Sequence, residues 1–246
     1  MNTILNAFKE ALFLIFSFNP EFYRVVLLSL VVSGSATLIG ALIGVPAGVA
    51  LHEFRFPGRR TLLVVVHAFM GLPPVVVGVF AVLLLARSGP LGFLDLIYTP
   101  TAMVIVQVAL AAPIIAGFTN ASLEDVDPRI GLQARSLGAT RLQSVYVKMR
   151  EARSGLVAAL IAGFGGVISE VGAVMMIGGN IKGQTRVMTT DIVLQMRMGR
   201  AEMALAEGIV LILIAILVNV FLTRLQAGKG LGEVEKRGIT GAYIGD

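Results

Sequence analysis

Five stretches of this sequence, at about residues 25–51, 61–86, 101–119, 156–177 and 203–222, are almost unbroken runs of apolar side chains. A bilayer core about 30 Å thick is crossed by roughly 20 residues of α-helix, so each run is long enough to span. In hydrocarbon every backbone polar group must be bonded within the protein, which leaves helices and closed barrels as spanning structures. The runs are too long for buried strands, and the short alternating segments of an outer-membrane barrel are missing. The fold class that follows is an all-α integral membrane protein with five transmembrane helices. At 56% hydrophobic and 14% charged residues, with a mean hydropathy of +0.86, the chain lacks the polar surface of a soluble domain. Lipid is therefore its first partner. It has no cysteine, which excludes disulfides and cysteine-held metals. Its 20 Lys and Arg against 15 Asp and Glu bear on orientation and give no sign of nucleic-acid binding.

Residues 1–24 form a separate unit. Ile4, Leu5, Phe8, Ala11, Leu12, Ile15 and Phe16 recur at helical spacing around Lys9 and Glu10, the pattern of an interfacial helix lying along the membrane, with a sixth span as the alternative. A cleaved signal peptide fits poorly, because no basic stretch precedes the apolar run and no small-residue cleavage site follows it. With the N-terminus outside, 13 of the 20 Lys and Arg fall on the inner side, which predicts a cytoplasmic C-terminal tail over 223–246. Lys182, Arg186, Arg197 and Arg200 fall on the outer side. They suit either attraction of an anion or docking of an acidic partner surface, with docking preferred, against a solvated amphipathic segment.

Pro46, Pro73, Pro74 and Pro113 lie within expected spans, and Gly163, Gly165 and Gly166 within the fourth. Packing accounts for any one of them. Their concentration in the second and fourth spans points to helices that line a moving interface.

The loop at about 122–153 is far longer than a helix connection needs. Asp127 and Pro128 read as the N-cap and first residue of a helix. Gly138 then interrupts the helical pattern, which resumes with Leu142, Val145 and Met149. Two short amphipathic helices hinged at a glycine would form a knob below the membrane, shaped for a partner's cleft.

This loop, with "ARSLGAT" at 134–140 after three spans and before a fourth, resembles the EAA loop of ABC-importer permeases, whose coupling helix docks on the ATPase. The family pattern is Glu-Ala-Ala, three residues, Gly, nine residues, then Ile-x-Leu-Pro. With its Gly on Gly138, Ala134 matches; Leu132 and Gln133 replace the Glu and first Ala, and Lys148, Met149, Arg150 and Glu151 replace Ile-x-Leu-Pro. The segments "RFPGRR" (55–60), "GLPPVVVGVF" (71–80), "RSGPLG" (87–92), "TPTAMVIVQ" (99–107), "REARSG" (150–155) and "ISEVGAVMMIGGNIKGQTRVMTT" (168–190) are similar to permeases of tungstate and molybdate importers. "GLPPVVVG", "REA" and "SEVGAVM" most resemble the tungstate branch. The resemblance covers residues 24 to 222.

It implies a type I ABC-importer permease over 25–222, in a prokaryotic cytoplasmic membrane, paired with a second copy of itself. ATP-binding cassette ATPase subunits would sit beneath and consume ATP and Mg, and an extracytoplasmic binding protein would deliver the oxyanion. The chain itself would bind no cofactor or metal and carry no catalytic residue. It has no G-x-x-x-x-G-K-[ST] loop; Gly228-Lys229-Gly230 has the wrong spacing, so the chain is not read as an enzyme. Coupling to the ATPase is expected from Ala134, Arg135, Ser136, Leu137, Gly138, Ala139 and Arg141. Pro73, Pro74, Ser169, Glu170 and Asn180 are the candidates for pathway or gate. Glu170 is the one carboxylate read as buried in a span. A tungstate dianion would be repelled by it if ionised, so pairing with an Arg or a helix N-terminus, or gating, suits it better than lining the route. Ser169, Asn180 and Gln107 suit either hydrogen bonding to an oxyanion or bonding between helices. His52 and His67 have no partner at metal-ligand spacing, and Met175 and Met176 read as core filling. The alternatives are a molybdate or sulfate permease and, from another class, a secondary transporter. The latter would be expected to show internal repeats and a buried ionisable relay.

Overall fold

The computed structural model describes residues 2–227, with side chains at 4–224, so most of the expected tail, including Lys229, Lys236 and Arg237, lies outside the described residues. Eleven α-helices run through the described residues: α1 Asn2–Phe16, α2 Pro20–Glu53, α3 Arg59–Met70, α4 Pro74–Leu85, α5 Pro100–Glu124, α6 Pro128–Ser136, α7 Arg141–Glu151, α8 Arg153–Ile168, α9 Gly172–Gly178, α10 Met188–Arg197 and α11 Ala201–Ala227. A single 3-10 turn, Gly92–Leu94, follows α4. Three helices, α2, α5 and α11, are long and apolar enough to cross a membrane alone. Two bent pairs, α3 with α4 and α7 with α8, bring the number to five if each pair counts as one span.

The centre of the molecule is the pairing of α2 with α5. In lipid the driving force for helix contact is close packing, since the solvent is as apolar as the side chains, and small residues at the seam allow it. On α2 the buried face carries Ser29, Ser33, Ala36, Gly40, Gly44 and Gly48, while Leu27, Val31, Leu38 and Leu42 point outward. A Cβ at Gly44 would lie 2.6 Å from the Ala112 carbonyl, and one at Gly48 2.5 Å from that of Ala116, so the two backbones touch there. Around this seam Val32, Met103, Val106, Ala111, Ile115, Val167, Val174 and Ile177 form the main core.

The second and fourth expected spans are not continuous helices. The stretch at 61–86 breaks after Gly71 and turns by 97° before α4, because Pro73 and Pro74 supply no N–H donors and Pro74 opens a new helix at its first position. The stretch at 156–177 ends as helix at Ile168 and restarts at Gly172. Pro46 and Pro113, in contrast, sit inside helices that run straight through them in sequence.

The N-terminal segment is the helix expected, α1, but its inward face is Ala7, Ala11 and Leu14, which pack on α11 together with Phe22, Val25, Met188, Ala206 and Val210. Leu5, Phe8, Leu12 and Phe16, assigned from their spacing to one apolar stripe, lie exposed on its outer side.

Candidate functional site

The loop between α5 and α8 folds as two short helices joined at Gly138. Asp127 accepts a hydrogen bond from the Arg129 N–H at 2.8 Å, and Pro128 takes the first helical position of α6. The helix closes with two reversed bonds, Gly138 N–H to the Arg135 carbonyl and Ala139 N–H to the Ala134 carbonyl, both 3.0 Å, with Gly138 left-handed at φ 88°. Thr140 and Gln143 then cap α7 reciprocally. Of the residues expected to couple, Ala134, Arg135 and Ser136 form the last turn of α6, Leu137, Gly138 and Ala139 form the corner, and Arg141 begins α7. The corner presents bare apolar surface: Leu137 is 89% and Leu142 83% exposed, with Leu132 and Tyr146 also outside.

Polar contacts fix this corner to the membrane helices. Ser144 donates to the Gly131 carbonyl at 3.1 Å, locking α7 on α6. Lys148 Nζ lies 2.7 Å from Glu53 Oε1 at the end of α2, and the Arg141 guanidinium sits 5.0 Å above the Phe54 ring. Nearby, Arg59 of α3 donates through Nε to the Leu51 carbonyl and reaches Glu124 of α5 at 3.8 Å. The knob is thus tied to the end of α2, which Arg59 in turn joins to α3 and α5, and it continues into α8 through a 69° bend at Ala152.

The two broken spans meet. Val75 Cγ2 lies 2.7 Å from where a Cβ on Gly172 would stand, and Gly78 packs against Ala173, so α4 rests on α9. Val75, next in the chain after Pro73 and Pro74, and Glu170 Oε1 therefore both lie against Gly172, the latter 3.5 Å from its Cβ position. Glu170 Oε1 accepts the Ala173 N–H at 2.9 Å, serving the first turn of α9, and Thr189 donates to the Glu170 carbonyl. Gln107 Nε2 donates to the Val167 carbonyl at 3.0 Å, at the end of α8, where that carbonyl also takes the Glu170 N–H at 3.2 Å. Ser169 turns its hydroxyl back to the Gly165 carbonyl, and Asn180 donates to the Thr190 carbonyl from a separate turn after α9. Irregular backbone at membrane depth persists where protein buries it or where it borders a watered passage.

Residues 36–229 match the model of a family described as the binding-protein-dependent transport system inner membrane component. The chain belongs to this family. It is a permease subunit of an ABC importer, all-helical and of the type I fold. The permease is 39% identical to the tungstate uptake system permease protein of Peptoclostridium acidaminophilum over 92% of its own length and 99% of that protein's. It is 27% identical to the molybdenum transport system permease protein of Escherichia coli K12, over 85% and 96% of the two chains. Among solved structures, a bacterial alginate ABC transporter in complex with its pentasaccharide-bound periplasmic protein aligns with a TM-score of 0.73 at 19% identity, over 90% of this chain and 85% of that one.

Four charged residues of the permease escape the reading of its sequence. Glu53 and Lys148 are 95 positions apart, and nothing in either neighbourhood announces the other. Glu207 is only 5% exposed although it lies in α11, and Asp191 of α10 is buried as well, which corrects the view of Glu170 as the one buried carboxylate. A lone acid within an apolar run is a legible signal, and Glu207 carries it.

Proposed function

We propose that this permease forms, with a second copy of itself, the passage of a tungstate importer whose ATP chemistry belongs to separate ATP-binding cassette subunits. An extracytoplasmic protein would hand over the oxyanion. The cargo reading rests on 39% identity to a tungstate permease against 27% to a molybdenum one. The N-terminus would face outside and the tail the cytoplasm, in keeping with the distribution of Lys and Arg and with a knob that must face the ATP-bearing side. The chain would hold neither ATP nor Mg and catalyse nothing alone.

The observation that carries this reading is the exposed corner at Leu137, Gly138 and Leu142, joined rigidly to α2 through Lys148 and Glu53. A body that closes on this corner moves α6 and α7 as a unit. Motion passes through the ion pair to the end of α2 and through the bend at Ala152 to α8. There it reaches the break at Ser169 to Val171, where α9 lies on α4. Two packings of short, hinged segments are a natural bistable element, and alternation between them would open the passage inward or outward. Glu170 would hold α9 in register, with Pro73 and Pro74 fixing the opposing helix.

Reconstitution tests the proposal. Proteoliposomes holding this chain, its ATPase and its binding protein are expected to accumulate tungstate only with internal ATP and Mg, and titration calorimetry of the binding protein should rank tungstate above molybdate and sulfate. Accumulation against a gradient by the chain alone would mean a secondary transporter.

A further inference from the structure

At the end of α2 remote from Glu53, about 43 Å away at 1.5 Å per helical residue, a second cleft opens between the start of that helix and the turn following α9. Its volume is about 240 Å³, and Arg24, Lys182 and Arg186 line it together with Glu21 and the apolar Val25 and Leu28. Three cations line it with one carboxylate, and a second, Asp191, stands behind Arg186. Glu21 and Lys182 pair at 2.7 Å, and Arg186 reaches Asp191 only at 4.0 Å, while its Nε is buried without a partner. Among the described residues Arg24 has no ion-pair or hydrogen-bond partner, and its Nη1 lies 3.6 Å from the Cβ position of Gly183. The lining therefore holds one positive charge without a counterion, the exposed Arg24, while the Arg186 guanidinium, which also donates to the Asn180 carbonyl, is largely out of water.

The cleft is also rigid. Thr185, 1% exposed, donates to the Gly178 carbonyl and accepts the Ile181 N–H, and the Ile181 carbonyl receives the N–H groups of Gln184, Thr185 and Arg186. Ser29 of α2 accepts the Met188 N–H at 2.8 Å, pinning the turn to the helix that forms the other wall. Gly179 and Gly183 take left-handed φ values of 69° and 76° that the turn requires. A fixed pair of walls presenting guanidinium and ammonium groups to one space is suited to a compact anion with several acceptor oxygens. Val25 and Leu28 on the apolar side, and the exposed Tyr23 stacked on Phe18 with ring centroids 6.1 Å apart, are the residue types favoured where a membrane meets water.

We propose that the cleft between Arg24, Lys182 and Arg186 binds a tetrahedral oxyanion group, supplied either by the phosphate of an anionic lipid or by a free inorganic dianion. The site is independent of the transport reading and is tested on the chain without its ATPase. The full-length chain is placed in nanodiscs of phosphatidylcholine with or without phosphatidylglycerol. Native mass spectrometry counts retained lipids, and calorimetry in pure phosphatidylcholine follows tungstate and phosphate. Selective retention of phosphatidylglycerol identifies the lipid source, and saturable binding of the ions the free one. In either arm Arg24→Gln and Lys182→Gln should each weaken binding about fivefold, Glu21→Gln should strengthen it, and Arg60→Gln, next to the Arg59 that bonds Leu51 at the opposite end of α2, should leave it unchanged. Thermal melting of each variant confirms folding, and Arg24→Lys should recover part of the loss if the guanidinium acts through its charge. Absence of both binding modes, or binding indifferent to Arg24 and Lys182 in folded protein, overturns the proposal.

Discussion

Lys148 of α7 and Glu53 of α2 meet at 2.7 Å with only 20% and 11% of their side chains exposed, and theirs is the ion pair that, with Arg141 on Phe54, fastens the knob to α2, the longest helix among the described residues. A pair this sheltered is more than a surface ion pair, and losing one partner leaves the other short of a charged hydrogen bond, at a cost of about 1.5–3 kcal/mol. Lys148→Glu and Glu53→Lys should each cut ATP-dependent uptake at least tenfold, and the double exchange should restore a good part of it. ATPase activity stimulated by the binding protein is the second readout. Uptake left unchanged by both single variants would remove the pair from the route of coupling.

Gly138 has open space around it: no atom lies within 4 Å of where a Cβ would be. Its restriction is backbone alone, since φ 88° is costly for side chains by roughly 1–2 kcal/mol, most of all for β-branched ones, and tolerable for Asn. Gly138→Val should therefore insert into the membrane in normal amount yet abolish uptake, because the corner must rearrange, and Gly138→Asn should keep most activity. Copurification of the ATPase with each variant measures the docking directly. Full uptake by Gly138→Val would contradict a coupling role for the corner.

Much of this organisation is legible before folding. The five apolar runs, the N-terminal helix, Asp127 and Pro128 at the start of α6 and the glycine corner follow from local rules of length, capping and backbone freedom, which act within a few residues. The breaks at Gly71 to Pro73 and at Ser169 to Val171 are only half legible: the prolines and glycines show where a helix is weak, but Pro46 and Pro113 look alike in sequence and lie inside intact helices. What decides is whether a neighbour bonds the groups at the break, as Gln107 does by donating to the Val167 carbonyl across 60 positions. The ion pair of Glu53 and Lys148 is invisible for the same reason.

The seam of α2 and α5 makes a sharp demand on size. At Gly44 a single added methyl would stand 2.6 Å from the Ala112 carbonyl oxygen and 3.0 Å from Ile115 Cβ, both of which are held by the helix they belong to. Forcing the helices apart to admit it costs about 1–3 kcal/mol. At Gly34, on the same helix, no atom lies within 4 Å, and alanine there should be neutral or favourable by up to about 1 kcal/mol through helix propensity. Melting curves in detergent should thus show Gly44→Ala lowered and Gly34→Ala level or raised. Equal melting of the two would mean that the seam is looser than the contact describes.

Glu170 separates two roles that its position allows. Its Oε1 receives the Ala173 N–H at 2.9 Å, so it acts on the first turn of α9 as a cap does, and its carbonyl receives Thr189. Glutamine keeps an oxygen acceptor of the same reach without the charge, whereas alanine removes the acceptor and costs about 0.5–2 kcal/mol, typical of a lost cap. If register of α9 is what matters, Glu170→Gln should transport near the native rate and Glu170→Ala should lose both melting temperature and uptake. The charge itself has an unfavourable interaction with any passing dianion, so its removal should leave uptake level or raise it at limiting tungstate. An inactive Glu170→Gln with native melting would instead assign the carboxylate a function that depends on its charge, and would move Glu170 from holding α9 to acting in the gate.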